Sequence, residues 1–99
     1  MATDYLAQTE DRVKLEVETA RLSLAQALEQ VQLTGNSLDK ARENERKARE
    51  RYDEGKVSII EVIEAQTYRQ TAQINFVRAK AASQAYYSGL IKALNVYHI

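Results

Sequence analysis

The 99-residue chain has no cysteine, no proline, no tryptophan, three glycines and a single histidine. Without cysteine there is no disulfide framework, no thiolate nucleophile and no Cys-based zinc site, and the lone imidazole of His98 excludes a histidine-rich metal centre. An excess of either charge is missing too. Fourteen Lys and Arg balance fourteen Asp and Glu, so no net field draws the chain to nucleic acid or to an anionic membrane surface. No apolar run reaches the ~18 residues of a membrane-spanning helix. The amino-terminal MATDYLAQTEDR lacks the basic start and apolar core of a secretory leader. The expectation is a soluble, unexported segment with no direct membrane insertion and no nucleic-acid partner.

What the chain does contain is alanine, leucine, valine and isoleucine among mixed-sign charges, the composition of long helices in a bundle or coiled coil. The apolar residues repeat every seven. In the first half Leu6, Val13, Ala20, Ala27, Thr34, Ala41 and Ala48 form one row, and Val17, Leu24, Val31, Leu38 and Tyr52 form a second, interrupted only by Glu45. In the second half Ala65, Ala72, Ala79, Tyr86 and Ala93 form one row. Val62, Phe76, Leu90 and Tyr97 form the other, interrupted by Arg69 and Ser83. A period of 3.5 keeps such two-row seams facing one partner along a left-handed supercoil. One row in each half is almost wholly small, which lets backbones approach. Leu15, Leu22, Leu28 and Leu33, and in the second half Ile74, Tyr87, Ile91 and Leu94, lie off the seams, so each helix is expected to bury a second flank.

Between the halves stands a stop followed by a start. Gly55 supplies the left-handed residue that closes a helix. Ser58 with Glu61 reads as a capping box, and Val57 with Val62 occupies the two positions of a hydrophobic staple. Gly35-Asn36 is a weaker break, because both heptad rows pass through Thr34 and Leu38 in phase; a continuous helix with a penalty of about 1 kcal/mol is expected there. The reading is all-α: a helix over about 4–54, a turn over about 55–57 and a helix over about 58–95, forming a long antiparallel hairpin and one domain over 1–99. The expected seam contacts are Ala20, Leu24, Ala27, Val31, Ala41 and Ala48 against Val62, Ala65, Ala72, Phe76, Ala79 and Leu90. Two helices touching along one stripe bury little against the ~1–2 kcal/mol per residue that ordering the backbone costs. Assembly into a larger helical bundle or α-barrel is therefore expected.

No acid–base pair, activated nucleophile or Gly-rich phosphate loop can be assembled on these surfaces, so no enzymatic activity, cofactor or metal is expected. The charged run from Asp39 to Lys56 reads as a solvated face with pairs such as Glu43–Lys47 and Glu45–Arg49, worth about 0.2–0.5 kcal/mol each. Tyr86, Tyr87 and Tyr97 suit burial with a hydroxyl reaching water. His98 reads as an exposed residue near a chain end.

The pattern Ala48-x-x-x-Tyr52-x-x-Gly55-x-x-Ser58-x-x-Glu61-Val62-Ile63-x-Ala65-Gln66, followed by Ala72, Ala79, Tyr86 and Leu90 to Leu94, resembles the TolC-type outer-membrane efflux proteins over roughly Val13 to Asn95. The resemblance implies a fragment of a longer duct protein, the tip hairpin of a periplasmic α-barrel in a Gram-negative outer-membrane channel that is trimeric when intact. It implies homo-oligomeric contacts and docking of a periplasmic adaptor (membrane-fusion) protein hairpin at the tip, on Tyr52, Gly55, Lys56, Val57 and Ser58. Glu61 and Glu64 match acidic positions that line the lumen or ring its mouth. Val57 departs from members with a basic or polar residue that latches the entrance. The competing reading is a free-standing or engineered coiled-coil oligomerisation module without a transport role, which needs a cap at the turn but not the Tyr52 and Glu61-to-Gln66 pattern around it.

Overall fold

The computed structural model describes the backbone of residues 2–98 and the side chains of residues 6–95. Helix α1 spans Ala2–Asp53 and helix α2 spans Ile59–His98, one residue from the expected boundary on each side of the turn and two and three residues beyond it at the outer ends. Among the described residues there is no β-strand. The two helices lie antiparallel in a rod of 80 × 16 × 14 Å. Its length is that of α1, since 52 helical residues rise ~78 Å. The helix runs unbroken through Gly35 and Asn36.

Gly55 is the chain's sole described residue with positive φ, at 73°. Its N–H donates to the Tyr52 carbonyl at 2.9 Å, and the Lys56 N–H donates to the Arg51 carbonyl at 2.9 Å. This pair of bonds is the Schellman arrangement, satisfying carbonyls that the end of α1 leaves without an intrahelical partner. Ser58 directly precedes α2, as a cap should. The capping box nevertheless lacks its side-chain bonds: among the described residues neither the Ser58 hydroxyl nor the Glu61 carboxylate makes one, and the Glu61 N–H donates to the Ser58 backbone carbonyl at 3.1 Å. Backbone geometry alone closes this first turn. Val62 is buried and Val57 half-buried, as the staple positions require.

The heptad seams meet as expected. Val17, Ala27, Leu38 and Ala41 are buried on α1, and Val62, Ala72 and Ala79 on α2. Ala20, Leu24, Val31, Ala48, Ala65, Phe76 and Leu90 are half-buried beside them. The densest point joins Leu38, Ala41 and Ala72, with Phe76 packed against them. Here Gly35 has a packing role that its helix penalty conceals. A Cβ at this position would come within 3.2 Å of Phe76 Cε2, so the missing side chain makes room for the ring. Lys80 covers the same ring, its Nζ 4.9 Å from the centroid.

Several members of the rows depart from the expectation. Leu6, Tyr52 and Tyr86 occupy seam positions yet are 61%, 44% and 48% exposed. Leu6 lies on the part of α1 that outruns the shorter α2, and Tyr52 sits where the chains diverge into the turn. Tyr86 and Tyr87 are exposed rather than packed. The side chains of Tyr97 and His98 lie outside the described residues. The second flank is exposed as well, from Leu15, Leu22, Leu28 and Leu33 to Ile74 and Ile91, with Leu94 alone half-buried. A single stripe of contact cannot cover both sides of a helix.

Two sets of substitutions test this packing. Gly55→Val forces a β-branched residue into the left-handed region and should destabilise by ~2 kcal/mol or more, whereas Ser58→Ala, losing a hydroxyl that bonds nothing, should cost well under the ~1 kcal/mol of an ordinary cap. Thermal melts of the two variants would rank them. Gly89 faces open space within α2. Gly89→Ala should therefore raise stability by up to ~1 kcal/mol through helix propensity, while Gly35→Ala should gain nothing because crowding of Phe76 offsets the same propensity. Equal upward shifts in Tm would contradict the ring placement.

Candidate functional site

The turn presents Tyr52, Gly55, Lys56 and Ser58 to solvent, with Val57 half-buried at its base. Lys56 Nζ pairs with Glu54 at 2.9 Å, both side chains largely exposed. The Tyr52 backbone is held by the Gly55 bond, so its ring projects from a fixed point. Just past the turn Ile59, Ile60 and Ile63 are 48%, 63% and 54% exposed. None of the three belongs to a heptad row, and Ile63 enters the sequence reading only through the family pattern; their spacing puts them on the face of α2 that points away from the seam.

Behind the tip two of the three breaks in the heptad rows, Glu45 and Arg69, prove to be one feature. Glu45 is buried, 8% exposed. Its Oε2 accepts from Arg69 Nε at 2.7 Å and its Oε1 from Arg49 Nη2 at 2.9 Å. Arg69 Nη1 in turn donates to Gln73 Oε1 at 3.0 Å. The charge that interrupts one helix's row thus faces the charge that interrupts the other's. The hydrogen bond from Arg69, then the charges of Arg69 and Arg49, hold the Glu45 carboxyl below the usual glutamate range against the opposing effect of burial. Other polar seam positions are satisfied locally. The Thr34 hydroxyl bonds the Gln30 and Val31 carbonyls at 2.7 and 3.1 Å, and the Ser83 hydroxyl bonds the Lys80 carbonyl at 2.7 Å.

The expected Glu45–Arg49 pair forms, though its carboxylate lies buried at the seam and not on the solvated face, while on that face Glu43 pairs with Arg46, at 2.6 Å, rather than with Lys47. Arg46 also reaches Glu50 at 3.2 Å and so bridges two carboxylates on successive turns. The Arg46 hydrogen bond lowers the Glu43 carboxyl, with Lys47 contributing only at a distance. A guanidinium offers five donors in a fixed fork, and its reach to both neighbours favours it over the lysine ammonium. Among the described residues no group of His, Cys, Asp or Glu could hold a metal ion. No described helix is long and apolar enough to cross a membrane.

The Glu45 site generates a pH prediction. Its carboxyl is depressed in the folded state, so the stability it contributes is complete above the ordinary glutamate value of ~4.3 and is lost as pH falls through the lower folded value. Glu45→Gln should cost about 1–3 kcal/mol at neutral pH, less than a fully buried pair because Arg69 keeps some solvent. The parent should then lose stability more steeply than the variant on acidification below pH ~4.3, and the two Tm curves should converge. Parallel curves would remove Glu45 from the stabilising set. Neither a protein-family model, nor a curated protein, nor a solved structure matches this chain.

Proposed function

We propose that this chain is the wall-and-tip hairpin of a TolC-like efflux or secretion duct, a structural component without catalytic activity that assembles with copies of itself and docks a periplasmic adaptor hairpin. The observation that carries the reading is the two-sided apolar character of a very thin rod. Four of the seven buried apolar residues are alanine, while Leu15, Leu22, Leu33, Ile60, Ile63, Ile74, Val77 and Ile91 remain in water. Soluble monomers rarely leave so long an apolar surface uncovered, and a helix set between two neighbours in a wall needs both flanks. The rigid turn, with Tyr52 and the isoleucines behind it, offers an adaptor an aromatic anchor beside an apolar edge, the composition favoured at the centre of interfaces. Lys56, Val57 and Ser58 complete the docking tip, and the periplasm is its place of action.

The test is binding to an immobilised adaptor hairpin. The parent should be retained, and Tyr52→Ala should weaken binding by tenfold or more with an unchanged melt, because the ring is exposed and its loss leaves the seam intact. Absence of binding by the parent would refute the docking role and leave the fold untouched.

A further inference from the structure

The outer face of α2 carries a second seam. From Ile60 to Ile91 a row steps by alternate threes and fours, the same spacing that joins α2 to α1, and every residue in it is exposed and uncharged. The row is nearly as long as the α2 part of the intramolecular seam. It also reads similarly in both directions. When the row is laid against its own reverse, Ile60 meets Ile91, Thr67 meets Gln84 and Ile74 meets Val77, so apolar falls on apolar and polar on polar. The remaining rungs set large against small, Ile63 on Ser88 and Gln70 on Ala81, which keeps the separation of the two axes even.

We propose that this row binds the same row of a second copy, α2 against α2 in opposite directions, to make a two-fold symmetric four-helix bundle. In a two-fold contact one patch must complement itself, with each residue i meeting j as j meets i, and the row meets that condition. Its margins agree. The reversed register brings Ile59 to Leu94, Gln66 to Tyr87, Gln73 to Lys80, Thr71 to Arg78 and Glu64 to Ala85, and no like charges confront one another. A shallow apolar concavity lined by Gln70, Gln73, Ile74, Val77 and Arg78 lies at the centre of the row, where the symmetry axis passes. The Thr67 hydroxyl already bonds the Ile63 carbonyl at 3.0 Å, so covering it strands no donor.

The outer face of α1 is a poorer occupant. Gly35 faces Phe76 and Glu45 faces Arg69, a register that puts Lys40, Glu43, Lys47 and Glu50 level with the half of the row nearest the turn. Those charges would lie on Ile60, Ile63 and Ile74, and only Leu22 and Leu33 farther away offer apolar contact. The α2 pairing points the two tips in opposite directions. It is therefore a state of the unassembled hairpin, goes beyond the duct reading, and excludes simultaneous use of this face in a wall.

The chain has no native cysteine, so spin labels at Asn75→Cys and Glu61→Cys, both outside the row, report its direction directly. Sedimentation equilibrium should show a dimer. Labels at 75 should lie within ~20 Å of each other, about two helix diameters, while labels at 61 should be ~45 Å apart at 1.5 Å rise per residue. Ile74→Glu with Val77→Glu should raise the dissociation constant at least tenfold with helix content retained, since both residues are exposed in the single hairpin; Leu33→Glu should leave it unchanged. A monomer, a dimer with both label pairs close, or a dimer indifferent to charges at 74 and 77 would overturn the proposal. Close labels at both positions would mean tips side by side, which favours the wall. The dimer covers Ile60 and Ile63, so adaptor binding is measured on the monomer that Ile74→Glu with Val77→Glu leaves; failure of that monomer to bind would remove the duct reading alone.

Discussion

The close approach of two helices along alanine is the constraint from which the rest of this molecule follows. Ala27, Ala41, Ala72 and Ala79 are the small buried residues of the seam, and Gly35 extends the same logic by removing a side chain where Phe76 must lie. Small residues permit proximity but remove little apolar area from water, and each buried CH₂ is worth only about 0.8 kcal/mol. The hairpin thus obtains shape from its seam more than stability, and many of the larger aliphatic side chains stay outside. That division explains why a rod of this length carries an apolar exterior.

A seam of alanines also discriminates weakly among registers, because one alanine rung resembles the next. The Glu45–Arg69 pair supplies the missing discrimination. Slipping α2 by one heptad would bring Val62 or Phe76 opposite Glu45, leave it Arg49 alone, and set Arg69 in an apolar stripe without a carboxylate. An uncompensated buried charge costs several kcal/mol, whereas the pair itself contributes little more than apolar residues of equal volume would. Its physical role is selection among alignments. The turn acts in concert, since the Schellman bonds and the left-handed Gly55 allow one short connection between the helices.

Two exposed surfaces of the hairpin stand out. The tip and the α2 exterior have different chemistry. The tip gathers an aromatic ring, an ion pair and isoleucines at a fixed bend, which suits a partner approaching end-on. The α2 row is long, straight and uncharged, which suits another helix lying alongside. The proposed duct wall and the proposed reversed dimer would both use that second surface, and the charges on the outer face of α1 would weigh on the balance between them.

The period of seven, the absent proline and the lone stop-and-start near residue 55 were enough to establish two helices, their direction reversal and most of the buried positions, because these depend on local spacing and backbone chemistry. The chain read by itself registered Glu45 and Arg69 as flaws, Gly35 as a penalty and Lys47 as the partner of Glu43. Only the folded hairpin revealed that the two flaws meet, that Phe76 needs the glycine and that Arg46 takes the carboxylate. Each of these depends on which residues of one helix stand opposite those of the other, or on which of several reachable rotamers a charge adopts. Sequence spacing encodes the face of a helix. Pairing across faces, and the exposure of Ile59, Ile60 and Tyr86, emerges once two cylinders of unequal length are set side by side and one stripe of contact proves too narrow to cover both flanks.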